Sequence, residues 1–462
     1  MNASSTGSFA LHRACLLAAI AVLFIGASAR ADDVDAETQE LIERLPEALQ
    51  PAAQQMAESR DPAPRFIATI FELPRARLGS GTSWQPDASP LYSVIPTVGR
   101  WGLMVHGNLY TGYNWYGSKR GGQRFMGRNT LMGSLFRTFK KSEVLLRLAL
   151  SFEPLTIGSR GYPLILQTGQ TRDGAERLHD RQYALDFFRE LAVLYTWHVT
   201  PRWAASVYAA AAGEPAVGPN SFTQRVSASP DPIAPLGFQL QESSHSSFGV
   251  LTVGAFTRTL KLEASWFNGR VPGSRRYGIY IRKPDSYSVR VSWNPAPEWS
   301  GQVSYAFFEE PVPLEPKEQQ HRLSGSVSHT MSFAGDLMVA STLSGAMRVR
   351  SSIAGAALLG EIYLNLRTHH AIYGRFEILQ KSGIELELSR PAEPTRELHA
   401  VGTLALGYVY YFGPFISLSP GLGVRGSVSP VARELERDYG TRAPLGVMVY
   451  AQLRTAAMPS SR

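Results

Sequence analysis

In this 462-residue chain the side chains best suited to chemistry are imidazoles set beside carboxylates and hydroxyls. His179 and Asp180 are adjacent, and His245 lies among Ser243, Ser244, Ser246 and Ser247. Imidazole with carboxylate suits zinc, copper or iron. His179, Asp180 and His245 are therefore the metal-ligand candidates, provided two long loops bring them together. The single cysteine, Cys15, removes thiolate metal sites and any disulfide framework. Neither H-E-x-x-H nor H-x-x-E-H occurs, and His369-His370 have the wrong spacing to share one tetrahedral ion. The hydroxyls beside His245 could pair a nucleophile with a base, but neighbours on an extended chain point to opposite faces. No catalytic residue is assigned, the chain is read as a non-enzyme, and no cofactor is expected.

A second set of polar residues is more regular. His106, Asn108, Arg147, Glu190, Lys261, Glu263, Arg290, Arg322, Glu361, Arg375 and Glu377 each stand on the opposite face from a row of apolar residues. Glu153 does the same. Such residues either pair across strands and stiffen a wall, or line a passage whose mixed charge orients polar solutes.

The elements that must position them repeat with period two. Leu260, Leu262, Ala264 and Trp266 alternate with Lys261, Glu263 and Ser265; Tyr287, Val289, Val291 and Trp293 alternate with Ser288, Arg290 and Ser292. The segment from Trp101 to Trp115 sustains the pattern for longer than the 5–6 residues of an ordinary strand. Strands of 9–11 residues, apolar toward lipid and polar toward a lumen, are what a membrane barrel needs. The pattern predicts an all-β fold, a transmembrane antiparallel β-barrel of about 16 strands (14–18). Tight connections, as at Lys140–Glu143, Thr200–Arg202 and Pro295–Glu298, alternate throughout with longer ones near 118–123, 154–188, 214–246, 270–285, 310–320, 348–354, 380–396 and 428–442. That is the expected contrast of short periplasmic turns with long extracellular loops. Seven of the eight tryptophans fall near strand ends, where an interfacial aromatic belt sits. Pro420 inside a strand and Arg137 on an apolar face do not fit the pattern.

At the N-terminus, His12-Arg13, an apolar run from Ala14 to Ala27, and Ala29-Arg30-Ala31 have the form of a cleaved secretory signal spanning residues 1–31. The run is shorter than the roughly 20 residues of a spanning helix. Residues 32–99 form a separate acidic, helical and irregular segment, and 100–462 the barrel. Leu41, Leu45, Leu49, Ala52 and Met56 have helical spacing, broken by Pro46 and Pro51. Between Asp32 and Asp61, nine acids oppose Arg44 and Arg60, so the net +8 of the chain resolves into an acidic lead and a strongly basic body. Without a nucleic-acid motif, the expected partners are the phosphate-bearing head groups of outer-membrane lipid and lipopolysaccharide, and a small polar solute. The N-terminal segment could remain periplasmic or enter the lumen as a plug.

A series of motifs runs through residues 153–320: Glu153-Pro154-Leu155-Thr156, Gly161-Tyr162-Pro163-Leu164, Gln167-Thr168-Gly169, Asp180-Arg181-Gln182, Gly213-Glu214-Pro215-Ala216, Gly218-Pro219, Pro235-Leu236-Gly237, Ser244-His245, Trp266-Phe267-Asn268-Gly269-Arg270, Asp285-Ser286-Tyr287-Ser288 and Leu314-Glu315-Pro316. Over this middle third the chain resembles an uncharacterised bacterial outer-membrane β-barrel family, some of whose members are encoded near metal-resistance genes. The resemblance implies a Gram-negative outer-membrane location and folded extracellular loops that cap the barrel. Family members carry histidines directly after Asp-Arg-Gln, where Tyr183, Ala184 and Leu185 stand here, which weakens an implied metal role. The functional expectation is a porin-like channel or transporter for a small polar or ionic solute. The alternatives are a closed barrel whose loops bind a surface partner or metal ion, and an outer-membrane enzyme.

Overall fold

The computed structural model describes Gln50, Thr69 and residues 71–457, except 171–175, 244–246, 271–275, 310, 312–317, 334–335, 351–352, 389–396 and 416. The signal segment and the helical spacing at 41–56 lie outside the described residues.

Period-two patterning becomes strands β1 (Thr97–Val98), β2 (Trp101–Gly117), β3 (Gly122–Met126), β4 (Asn129–Thr138), β5 (Ser142–Ser151), β6 (Tyr162–Gln170), β7 (Arg177–Gln182), β8 (Phe188–His198), β9 (Ala204–Gly213) and β10 (Ser247–Phe256). The second half adds β11 (Leu260–Phe267), β12 (Ser286–Trp293), β13 (Trp299–Glu309), β14 (Gln319–Phe333), β15 (Leu337–Arg350), β16 (Ile353–Leu366), β17 (His370–Ser382), β18 (Leu398–Tyr411), β19 (Leu418–Val428) and β20 (Leu445–Thr455). β3 and β4 are two parts of one wall strand, both paired with β2. β6 and β7 form a separate hairpin, so β5 pairs directly with β8. All wall pairings are antiparallel, and β20 pairs with β2 from Asn108↔Arg454 to Gly117↔Leu445. The result is a closed barrel of 16 wall strands. Closure leaves no open edge, the condition for placing strands in hydrocarbon.

The pleat sorts side chains by face. Leu262 and Trp266 are 54% and 49% exposed, while Lys261 and Glu263 between and beside them are 4% and 1%. The outer face is apolar, the reverse of a soluble sandwich, while the inner face mixes polar and charged side chains with buried apolar ones such as Phe136, Leu145, Phe267 and Leu359. Trp203, Trp293, Trp299 and Phe412 ring the short-turn end, and Trp115, Phe125, Trp266 and Tyr287 the other, all exposed. These are two aromatic girdles of the kind that sit at membrane interfaces.

The residues that broke the pattern have local explanations. Arg137 lies at the short-turn rim, with its guanidinium over Trp101 and Phe139, a snorkelling position. Pro420 precedes Gly421, where the β18–β19 pairing ends, and its carbonyl still accepts from Phe412 N. Alternation of loop length is less strict than expected. Arg350 and Ile353 leave two residues between β15 and β16, and Gly117 and Gly122 leave four between β2 and β3. Arginine and valine continue the β15 ladder where an excursion was expected, because the pairing of β14 with β15 extends to Gln320↔Arg350.

Candidate functional site

A 16-stranded wall is too wide for its own side chains to fill. Here two other segments occupy the interior. The described part of the connection between β9 and β10 (residues 214–243) turns inward instead of capping the barrel from outside. Its first part docks on β11–β13: Ala216 N donates to Ser265 Oγ (2.9 Å), Gly218 N donates to Ser304 Oγ (2.8 Å) and Gly218 O accepts from Arg290 (3.0 Å). Its middle reaches the far wall. Arg225 makes a two-pronged contact with Glu361 on β16 (2.8 and 3.1 Å) and pairs with Glu242 of its own loop. Ser227 Oγ lies 2.9 Å from both Glu361 and Thr342 Oγ1. Ser229 O accepts from Asn108 (3.2 Å), Gln452 (3.0 Å) and Tyr110. Pro230 O accepts from Tyr450 OH (2.7 Å), which is itself 2.9 Å from Tyr373 OH. Asp231 then sits between Arg375 (3.1 Å) and Arg425 (3.0 Å). Ile233 O accepts from Arg375 (2.7 Å) and Gly237 N donates to Glu377 (2.9 Å).

Residues 71–95 fill the space nearer the short turns. Arg75 binds Glu143 (2.9 and 3.2 Å) with its guanidinium 3.6 Å over Phe136. Arg147 donates to the carbonyls of Gly79 and Gly81 (3.1 and 2.9 Å). Lys261 and Arg290 hold Thr82, and Asn294 holds Gln85 O (2.9 Å). The two segments lock together: Ser80 N donates to Asn220 Oδ1 (2.8 Å) and Asn220 Nδ2 to Gln85 Oε1 (2.8 Å). Gly81 is left-handed (φ 55°), and a Cβ there would meet Glu214 O at 2.7 Å, so only glycine fits this crossing. A cavity lined by Leu78, Pro90, Tyr92, His106 and Gln224 has a volume of about 60 Å³. A second, beside Glu190 and Glu214, has about 20 Å³. Such spaces hold a few waters.

All the wall residues picked out by alternation point inward. Several pair across strands: Glu361 stands opposite Arg375 in register and binds it (3.0 Å), and Glu263 stands opposite Arg290 (2.9 Å) with Lys261 at 3.2 Å. Arg147 pairs with Glu190 (3.1 Å), which also accepts from Tyr208 OH. His106 Nδ1 lies 2.6 Å from Tyr92 O, and Asn108 Oδ1 accepts from Gln452. Arg322 lies over Phe308 (4.0 Å) and donates to Gln320.

The metal candidates do not converge among the described residues. His179 Nε2 meets Glu387 (3.0 Å), and Asp180 binds Arg120 (2.7 Å) and accepts from Leu166 N (2.7 Å). Asp180 has a positive φ (53°) at an irregularity in the β6–β7 pairing, and the two neighbours meet different partners. His245 lies outside the described residues, and no group of three or more His, Cys, Asp or Glu able to hold a metal ion occurs among those described.

Sequence reasoning missed Arg225, Asp231 and Glu242, which organise the lumen. A signal was available. Over residues 214–243 the only charged residues are Glu214, Arg225, Asp231 and Glu242, amid Pro, Ala, Ser and apolar side chains. A long loop facing water would carry more charge. The loop acids also feel burial. Desolvation pushes Glu214 up to about 8, against the opposing pull of Arg189. It pushes Glu153, just beyond β5, up to about 7, although Leu185 N donates to it and Arg128, Arg189 and Arg276 are near.

Closed antiparallel wall, apolar exterior, paired aromatic girdles and charged interior together define a β-barrel of the bacterial outer membrane. No protein-family profile and no curated protein matches the chain. Among solved structures it is similar to the outer membrane protein OmpT of Vibrio cholerae (7% identity, TM-score 0.44, 78% of this chain and 99% of that one). It is also similar to an anion-selective porin from Comamonas acidovorans (10%, 0.47, 77% and 99%) and to Salmonella typhi OmpF in complex with daunomycin (8%, 0.47, 76% and 98%).

Proposed function

We propose that this barrel is a gated channel for a small polar or ionic solute, closed in its resting state by residues 71–95 and by the loop residues 214–243. The observation that carries the reading is how the loop is held. Its central crossing is fixed by ion pairs and hydrogen bonds at Arg225, Ser229 and Asp231. Water and a charged or hydroxylated solute can replace such contacts, while the burial of Val226, Ile233, Leu236 and Leu240 against the wall opposes the loop's departure and keeps the closed state dominant. The wall behind the loop carries both signs of charge, so displacing the loop exposes a polar path and not a hydrophobic tube. The N-terminal segment serves in this reading as a plug tied to β4, β5, β11 and β12, and the signal at 1–31 delivers the chain for export. No catalytic role is assigned.

The test uses a reversible lock. Beyond the proposed signal the chain has no cysteine, so Ser227→Cys with Thr342→Cys, whose hydroxyl oxygens lie 2.9 Å apart, creates one candidate disulfide between loop and wall. In planar bilayers the wild type should show brief openings, the oxidised double variant none, and the reduced form should recover them. A wild type silent under every voltage and salt condition, or an oxidised variant that conducts like the reduced one, refutes the gated channel.

A further inference from the structure

At the long-loop mouth, three arginines crowd a strand pair in a way that calls for an anion. Arg322 on β14 and Arg348 on β15 are directly opposed in register, with Arg350 one inward position further along, opposite Gln320. Like charges set opposite one another across a ladder destabilise it, so each cation needs compensation. Arg348 finds Glu385 (2.5 Å), and Arg350 finds Glu318 (2.5 Å). Among the described residues Arg322 has only the Gln320 amide oxygen (3.3 Å) and the face of Phe308, and its Nε is buried there without a hydrogen-bond partner. Lys381, 4% exposed, comes from β17, and among the described residues its hydrogen bonds go to neutral oxygens: Leu166 O (2.6 Å), Gln167 Oε1 (3.3 Å) and Thr168 Oγ1 (3.3 Å), with the Glu385, Asp180 and Glu377 carboxylates acting on it at longer range.

These four cations and one carboxylate, Glu385, border one cavity of about 50 Å³. The charge surplus is positive, and the space equals roughly four water positions at about 10–15 Å³ each. That volume suits a small oxyanion and is too small for a sugar. Planar guanidinium groups present paired donors matched to a carboxylate or phosphate, and amide groups of Gln320 and Gln380 complete a polar lining.

We infer that this pocket is a binding site for a small oxyanion, phosphate or carboxylate, with Arg322 as the cation that the anion neutralises. The site goes beyond the gated-channel reading and does not depend on it, because equilibrium binding needs no flux.

The experiment is calorimetric titration of the full mature chain, folded in detergent micelles, with inorganic phosphate and separately with succinate, at constant ionic strength against chloride. Saturable binding of either anion is expected, and the arm that saturates more tightly identifies phosphate or carboxylate as the preferred class. Arg322→Gln should weaken it by about tenfold or more, the usual scale for one charge-assisted contact. The outward-facing Arg137→Gln should bind like wild type. Heat-modifiable migration on gels confirms that each variant is folded. If Arg322→Gln fails to fold, Lys381→Met, on a different strand, carries the same expectation. No saturation by either anion up to about 10 mM, or equal affinity in the wild type and a folded pocket variant, overturns the site.

Discussion

Asp231→Asn should unlock the barrel. The Asp231 carboxylate lies 3.1 Å from Arg375 and 3.0 Å from Arg425, and all three side chains are nearly inaccessible to water. Asparagine keeps the shape and removes the charge. Arg375 retains Glu361 at 3.0 Å, whereas for Arg425 Asp231 is the one carboxylate partner among the described residues. Removing one partner of a buried ion pair costs about 3–5 kcal/mol because the other charge is stranded. That cost falls on the closed state alone, since water solvates both arginines once the loop has left. At about 1.4 kcal/mol per decade, the lower bound shifts the closed-to-open ratio by about a hundredfold. A wild-type open fraction of about 0.1%, the low end for a minor conformer, would become about 10%. Single-channel recording in planar bilayers measures that fraction directly, with heat-modifiable gel migration showing that the barrel is intact. A folded Asp231→Asn barrel whose open fraction stays within about threefold of wild type would falsify the idea that this ion pair holds the gate.

Smaller and differently signed effects follow elsewhere. Tyr450→Phe removes the hydroxyl that donates to Pro230 O (2.7 Å). A neutral hydrogen bond is worth about 0.5–1.5 kcal/mol, so the open fraction should rise only about two- to tenfold, and an effect equal to that of Asp231→Asn counts against the ranking. Glu153 is held up to about 7 by burial, so the folded state binds a proton that the unfolded chain releases above about 4.5. Its contribution is therefore complete at low pH and lost as pH rises toward 7. Denaturant unfolding should show stability falling between pH 5 and 8 in wild type and falling less in Glu153→Gln; identical slopes would exclude the protonated acid. On the lipid face, Leu343→Arg at the middle of β15, where Leu343 is 54% exposed, should cost about 2–4 kcal/mol in bilayer refolding. No loss there would argue that this face does not meet hydrocarbon.

The wall was legible because its rule is local. Alternation along Leu260–Phe267 or Tyr287–Trp293 follows from the pleat, which sends successive side chains to opposite faces whatever lies beyond. Strand length and the clustering of aromatics near strand ends then separate a lipid-facing barrel from a soluble sandwich. Loop lengths were legible only in outline, since β14 and β15 extend their ladder through Arg350 where the composition suggested an excursion.

The lumen was decided by tertiary structure. Glu361 is recognisably inward from its neighbours Ile362 and Leu364. That it meets Arg225, 136 residues away in sequence, depends on where a closed wall brings the loop. The Asp231 clamp draws on β17 and β19, and the Arg75–Glu143 pair joins the N-terminal segment to β5. Sequence by itself determined which side chains face lipid and which face inward, because that choice is made residue by residue by backbone geometry. Which inward charges neutralise one another, and that residues 71–95 and 214–243 meet inside the wall, depended on ring closure. Only the closed ring sets the distances over which charges taken out of water must find partners.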